Sequence, residues 1–163
     1  MRKHRAFFLF ILAFASMTML IHWSVAAQTN GQAPHPFGEP VYHDHPPQEA
    51  LPLTLDPDQF RDKRPAYVAY TLAAQNKEVL YQAPCYCACN RSQGHRSLLD
   101  CFTGKHGANC PICQKEAIFC FLQHKQGKDA KQIREGLAKD EANKIDLEKD
   151  PDAYLRGLPS SPE

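Results

Sequence analysis

Six cysteines and two histidines fall within 29 residues of this chain, ordered Cys85-x-Cys87-x-Cys89, His95, Cys101, His106 and Cys110-x-x-Cys113. Three chemistries could use that spacing. Zinc and other thiophilic ions take four thiolate or imidazole ligands in a tetrahedron, and eight candidates would supply two such sites. Alternate residues of Cys85-x-Cys87-x-Cys89 can turn toward one ion with little loop-closure cost. Cys110-x-x-Cys113 at a helix start puts two thiols on one face, where the helix dipole favours the thiolate. A disulfide framework is the second use, although Cys85, Cys87 and Cys89 are too close in sequence to pair with one another without strain. Each would need a distant partner among Cys101, Cys110 and Cys113. Thiol–disulfide exchange through Cys110 and Cys113 is the third, but no βαβ pattern precedes them to suggest a thioredoxin fold. A c-type haem is excluded because Gln114 stands where CxxCH needs histidine.

The seventh cysteine, Cys120, lies ten residues past Cys110. That is about 15 Å along a helix, too far to complete the same tetrahedron. Positions 110, 113, 117, 120 and 124 share one helical stripe, which puts Cys120 and His124 on the flank of the site; a core stripe is the commoner cause of such spacing. His43-Asp44-His45 could also catch a transition metal, but incidental histidines in a mobile segment account for them better. Gly94 and Gly107 read as turn residues, and Tyr86 and Phe102 as packing around the site.

The rest of the chain narrows the setting. It has 163 residues, 43% apolar and 23% charged, with a net charge of +1 that gives no nucleic-acid-binding signature. No GxGxxG, GxxxxGK[ST] or GxSxG occurs, and no Ser/His/Asp order or carboxylate pair stands out, so the reading leans away from an enzyme. Arg2, Lys3 and Arg5 precede an apolar run from Ala6 to Ile21 and a small-residue exit at Val25-Ala26-Ala27. This describes a secretory signal peptide over residues 1–27, with cleavage before Gln28. Retention as a membrane anchor through residues 6–27 is the alternative. Export, to a periplasmic or extracellular destination, makes disulfides permissible.

Residues 28–50 contain five prolines and no apolar period, and so read as a Pro/His-rich flexible linker. Order is expected from Leu51. Asp56-Pro57-Asp58-Gln59 starts a short helix, and Pro65 opens a better one reaching about Asn76. Val79-Leu80-Tyr81 reads as a brief extended piece, and Leu98 to Phe102 as one helical turn. Asn109 is the expected cap of the longest helix, from Cys110 to about Gln126, which Gly127 closes. Asp129 and Gln132 form a capping box for a last helix reaching about Lys139. Residues 140–163 are expected to be a loose charged, Pro/Ser-rich tail. The fold class is therefore mainly α: a small helical domain over 51–139 with an irregular Cys/His-rich loop.

Pro84-Cys85-Tyr86-Cys87-Ala88-Cys89, Gly94-His95-Arg96-Ser97, Cys101-Phe102, His106-Gly107 and Cys110-x-x-Cys113 together resemble the PCYCGC-motif family of exported bacterial proteins. The likeness spans about residues 51 to 138, with Ala88 in place of the motif's glycine. It implies export and a shared Cys/His site, and supplies no reaction. The resulting expectation is an exported, non-catalytic protein binding a thiophilic metal ion, zinc ahead of copper. Its ligands are Cys85, Cys87, Cys89, His95, Cys101, His106, Cys110 and Cys113. The alternatives are a disulfide-stabilised binding module without metal, and a periplasmic thiol-disulfide oxidoreductase using Cys110 and Cys113.

Overall fold

The computed structural model describes residues 39–156; the expected signal segment, the first part of the linker and residues 157–163 lie outside them. Six α-helices and no strand occur among the described residues: α1 Arg64–Ala74, α2 Lys77–Tyr81, α3 Cys89–Ser92, α4 Asp100–Thr103, α5 Pro111–Lys125 and α6 Ala130–Ala138. None is long and apolar enough to cross a membrane.

The centre of the fold is α5, which packs against α1, α2 and α6. The single stripe expected of α5 understates it. Cys113, Gln114, Glu116, Ala117, Ile118, Phe119, Cys120 and Phe121 are all buried, so eight positions covering more than two turns are shielded from water. A helix covered on most of its circumference is a core helix rather than an amphipathic surface one. Pro111 stands at its start, where a missing N–H costs nothing. Asn109, the expected cap, instead accepts a hydrogen bond from Lys63 Nζ at 3.1 Å, and Cys110 occupies the cap position without a side-chain bond. At the other end Gly127, at φ +82°, returns its N–H to the His124 carbonyl at 2.8 Å. A left-handed glycine closing a helix this way is the reason Gly is favoured there. The Asp129–Gln132 capping box forms as expected and starts α6.

Pro65 sits in the first turn of α1, and alanines at 66, 69, 73 and 74 supply helix propensity. Tyr70 links this helix to the aromatic core, with ring centroids 4.3 Å from Phe60 and 4.9 Å from Phe102. The extended piece expected at 79–81 is helical instead. Val79 and Leu80 are buried in α2, and burial outweighs the mild strand preference of a β-branched residue.

The stretch from Asp140 differs from the expected loose tail. Ala142, Ile145 and Leu147 are buried, Arg64 pairs with Asp152, and Tyr154 donates to the Asp146 carbonyl at 3.1 Å. Its charged composition conceals three apolar residues that find the core. Residues 39–52 have neither helix nor strand, yet they touch the domain at several points. The Glu39 carbonyl accepts from Asn90, Arg134 lies over the Tyr42 ring at 4.6 Å, and His43 stacks flat on Tyr81 at 3.9 Å.

Candidate metal centre

Four short segments carry the eight side chains, and the scaffold fixes each through its backbone. The first runs out of α2. Leu98 and Leu99 donate to the carbonyls of Ala83 (2.8 Å) and Leu80 (3.2 Å), which holds the second segment against the first. Ala88 then takes a left-handed conformation, φ 64° and ψ 19°, and turns the chain from Cys87 into α3. The family motif has glycine at this position, the residue that adopts a left-handed backbone at least cost. Gly94, at φ +69°, makes the next turn and delivers His95. Asp100 accepts from the Arg96 amide at 2.7 Å and α4 presents Cys101.

Two further bonds hold the segment after Cys101. The Tyr70 hydroxyl donates to the Gly104 carbonyl at 2.5 Å, and the Leu55 amide to the Phe102 carbonyl at 2.9 Å. Burial pushes the Tyr70 phenol up to about 12, so it remains a donor at neutral pH. Gly107 serves close packing rather than a left-handed turn: a Cβ there would lie 3.0 Å from both the Cys101 carbonyl and the Phe102 ring. Gln114, buried on α5, donates to the Gly107 carbonyl at 2.9 Å and so steadies the turn that follows His106.

The result is a single cluster. Cys87, His106, Cys110 and Cys113 form one group whose donor atoms all lie within 4.8 Å of one another, and Cys89, His95, Cys101 and His106 form another. Cys85 groups with Cys101 and Cys113, and also with Cys87 and Cys89. All eight residues singled out from the sequence are thus brought together, and Cys120 is in none of these groups. The sulfur separations are 3.3 Å for Cys85–Cys87, 3.5 Å for Cys85–Cys113, 3.6 Å for Cys87–Cys113 and 3.5 Å for Cys89–Cys101. His95 Nδ1 is 3.3 Å from Cys101 Sγ and His106 Nε2 is 3.4 Å from Cys87 Sγ. A disulfide needs about 2.05 Å, whereas ligands about 2.3 Å from a shared tetrahedral ion lie about 3.8 Å apart. All seven cysteines are free, and the spacings are close to the edge of a coordination shell. His43 and His45 join no such group among the described residues.

Electrostatics follow from crowding. Hydrogen bonds from Cys101, Cys110, Cys113 and Cys85 hold the Cys87 thiol far below its ordinary range, and those from Cys101 and Cys85 lower Cys89 against Cys87 and burial. Cys113 is raised by contact with Cys101 and Cys110. For Cys85, the pull of Cys101 downward is overcome by Cys113, Cys87, Cys89 and burial, and its thiol is raised. Six adjacent thiols cannot all ionise alone; a few take the charge and the others keep their protons. A bound cation would relieve that conflict. Burial, then the neighbouring His106, lowers His95, which favours the neutral imidazole that a metal requires.

Sequence reasoning missed Glu116. This carboxyl is buried beneath the cluster, where Oε1 accepts from the Tyr86 amide at 2.9 Å and Oε2 has no hydrogen-bond partner. Loss of hydration raises its pKa to about 8, against the opposing pull of Cys85 and the Tyr86 amide. It fixes the peptide between Cys85 and Cys87. The available signal was its position three residues after Cys113, one helical turn on, just before an apolar run.

The sequence model of a family described as a protein of unknown function with PCYCGC motif matches residues 25–146. The match extends beyond the helical region into the linker and the early tail. No curated protein and no solved structure matches.

Proposed function

The chain belongs to the PCYCGC-motif family, and from that premise we propose that it is an exported, non-catalytic metal-binding protein whose Cys/His cluster holds a thiophilic ion, zinc ahead of copper. One observation carries the reading: eight thiol and imidazole donors converge in overlapping groups of three and four, with no sulfur pair at bonding distance. Mixed sulfur and imidazole ligation suits zinc, and thiolate-rich ligation also suits Cu(I). All eight side chains are the proposed ligands. Export rests on the basic head, apolar run and small-residue exit of residues 1–27.

The oxidoreductase alternative asks for a depressed Cys110 thiol. Cys113 pulls it down, but Cys87 and burial outweigh this and the thiol is raised. The disulfide alternative asks for bonded pairs, and the sulfurs stand apart.

Elemental analysis and thiol counting on protein purified from the export compartment test the proposal together. Stoichiometric zinc or copper is expected, with at least four thiols free after denaturation without reductant, and chelator should reduce helicity. One free thiol, no metal and a fold indifferent to chelator would establish three disulfides instead. N-terminal sequencing of the same material should begin at Gln28. Intact Met1 in the membrane fraction would replace the cleaved signal with an anchor.

A further inference from the structure

Eight donors fill two tetrahedra with none left over and none shared. How they divide is decided by two residues. Cys110 belongs to one group only, with Cys87, Cys113 and His106, and His95 to one only, with Cys89, Cys101 and His106. Cys110 and His95 therefore belong to different shells, and each shell is complete once Cys85 and His106 are assigned. The Cys85 sulfur is 3.3 Å from Cys87 and 3.5 Å from Cys113, while Cys89 and Cys101 lie within the wider 4.8 Å range. Cys87 and Cys113 are themselves 3.6 Å apart, so the three sulfurs form a nearly equilateral triangle. Its edges are close to the separation of about 3.8 Å expected on one face of a thiolate tetrahedron. His106 has a single such contact with this set, its Nε2 to Cys87 at 3.4 Å, against the two of Cys85. Cys85 thus joins Cys87, Cys110 and Cys113, and His106 completes the group of Cys89, His95 and Cys101.

The backbone divides the cysteine run at the same place. Glu116 fixes the Tyr86 amide, which holds Cys85 and Cys87 as a pair. Ala88 then reverses the chain through its left-handed conformation and sends Cys89 into α3, away from that pair. Cys85-x-Cys87 meets Cys110-x-x-Cys113 across the domain, whereas Cys89, His95, Cys101 and His106 all come from the intervening stretch.

We propose that the cluster is two separate centres of different chemistry: an all-thiolate site for a soft ion at Cys85, Cys87, Cys110 and Cys113, and a mixed zinc site at Cys89, His95, Cys101 and His106. This rests on the metal-binding reading above and adds the number of ions, their ligands and their selectivity. Four thiolates favour a soft ion, while two thiolates with two imidazoles suit borderline zinc. Each thiol that binds releases its proton to solvent, and no electron is transferred. Cys87 and Cys110 are partly open to solvent, so an incoming ion can reach the all-thiolate site directly.

Cadmium-113 is a suitable probe, being a spin-active d10 ion softer than zinc, whose resonance moves downfield as sulfur ligands replace nitrogen. The full mature chain is loaded with zinc, counted by native mass spectrometry and titrated with cadmium. Two zinc ions per chain are expected. The first equivalent of cadmium should displace one of them and give a single far-downfield resonance, and the second should add a resonance well upfield of it. Cys110→Ser should alter only the downfield signal and His95→Ala only the upfield one. The result on the unaltered chain stands even if a variant fails to fold. Two neighbouring resonances of intermediate shift would mean three sulfurs and one nitrogen at each ion and would overturn the division. Equal filling of both sites by the first equivalent would overturn the selectivity. One ion per chain would overturn the pair of centres and leave the metal-binding function intact, and no retained metal would overturn both.

Discussion

Glu116→Gln isolates the cost of placing a carboxyl under the cluster. In the folded protein its pKa is raised to about 8 from 4.5, chiefly by burial. Between those values the folded state keeps a proton that the unfolded chain has released, so stability falls as pH rises through that window. Each pH unit corresponds to about 1.4 kcal/mol, and the change from about pH 5 to about pH 7.5 is thus on the order of 3 kcal/mol. Glutamine preserves the acceptor for the Tyr86 amide and does not titrate. It leaves a buried NH2 where the unpartnered Oε2 stood, at a pH-independent cost of about 1–2 kcal/mol. The two proteins should therefore be of similar stability at about pH 5, and the Gln variant the more stable at about pH 7.5. Urea unfolding of both, reduced and metal-free, measures this. The thiols and His95 titrate in both and largely cancel in the difference. A difference that does not change with pH would refute the reasoning, because it would mean that Glu116 is ionised and hydrated in the folded state.

Other consequences concern the backbone and the core. Ala88→Gly should stabilise the metal-free protein by about 0.5–1 kcal/mol, since relief of a left-handed alanine exceeds the entropy cost of glycine; thermal unfolding checks it. Gly136→Ala should destabilise despite better helix propensity. The new Cβ would stand 2.6 Å from Phe119 Cζ and 3.2 Å from Glu141 Oε2. About 1–3 kcal/mol of overpacking should outweigh a gain of about 1 kcal/mol, as read by urea midpoint. Cys120→Ser should keep full metal stoichiometry while losing about 1–3 kcal/mol of stability to a buried hydroxyl. Loss of metal as complete as in Cys113→Ser would place Cys120 in the centre.

The membership of the Cys/His cluster was legible in the sequence because cysteines and histidines are scarce, and eight of them at short spacings point to one shared place in the fold. The capping box of α6 and the glycine that ends α5 were legible because each rule involves neighbours within four residues. What was not legible depends on residues distant in sequence. Whether Val79 extends or coils is decided by α5, more than thirty residues later, and Ala142, Ile145 and Leu147 are ordered by a core that a charged composition hides. Glu116 looked like any acid on a helix until the packing left it no water. Ala88 is instructive in the opposite sense: the departure from the motif's glycine was visible, but its meaning required the dihedral angle.

Cys120 and the rim thiols give the chain two chemical clocks. Cys120 is wholly shielded in the middle of α5, while Cys87 and Cys110 are partly exposed. A thiol reagent can meet Cys87 or Cys110 through local fluctuation of the cluster, but it meets Cys120 only when the core opens. When reclosing is fast relative to labelling, the Cys120 rate follows the global unfolding equilibrium. A bound ion would slow the rim thiols directly, and Cys120 only as far as it stabilises the whole fold. Comparing the modification rates within one sample would therefore separate emptying of the centre from unfolding of the domain, without any added reporter.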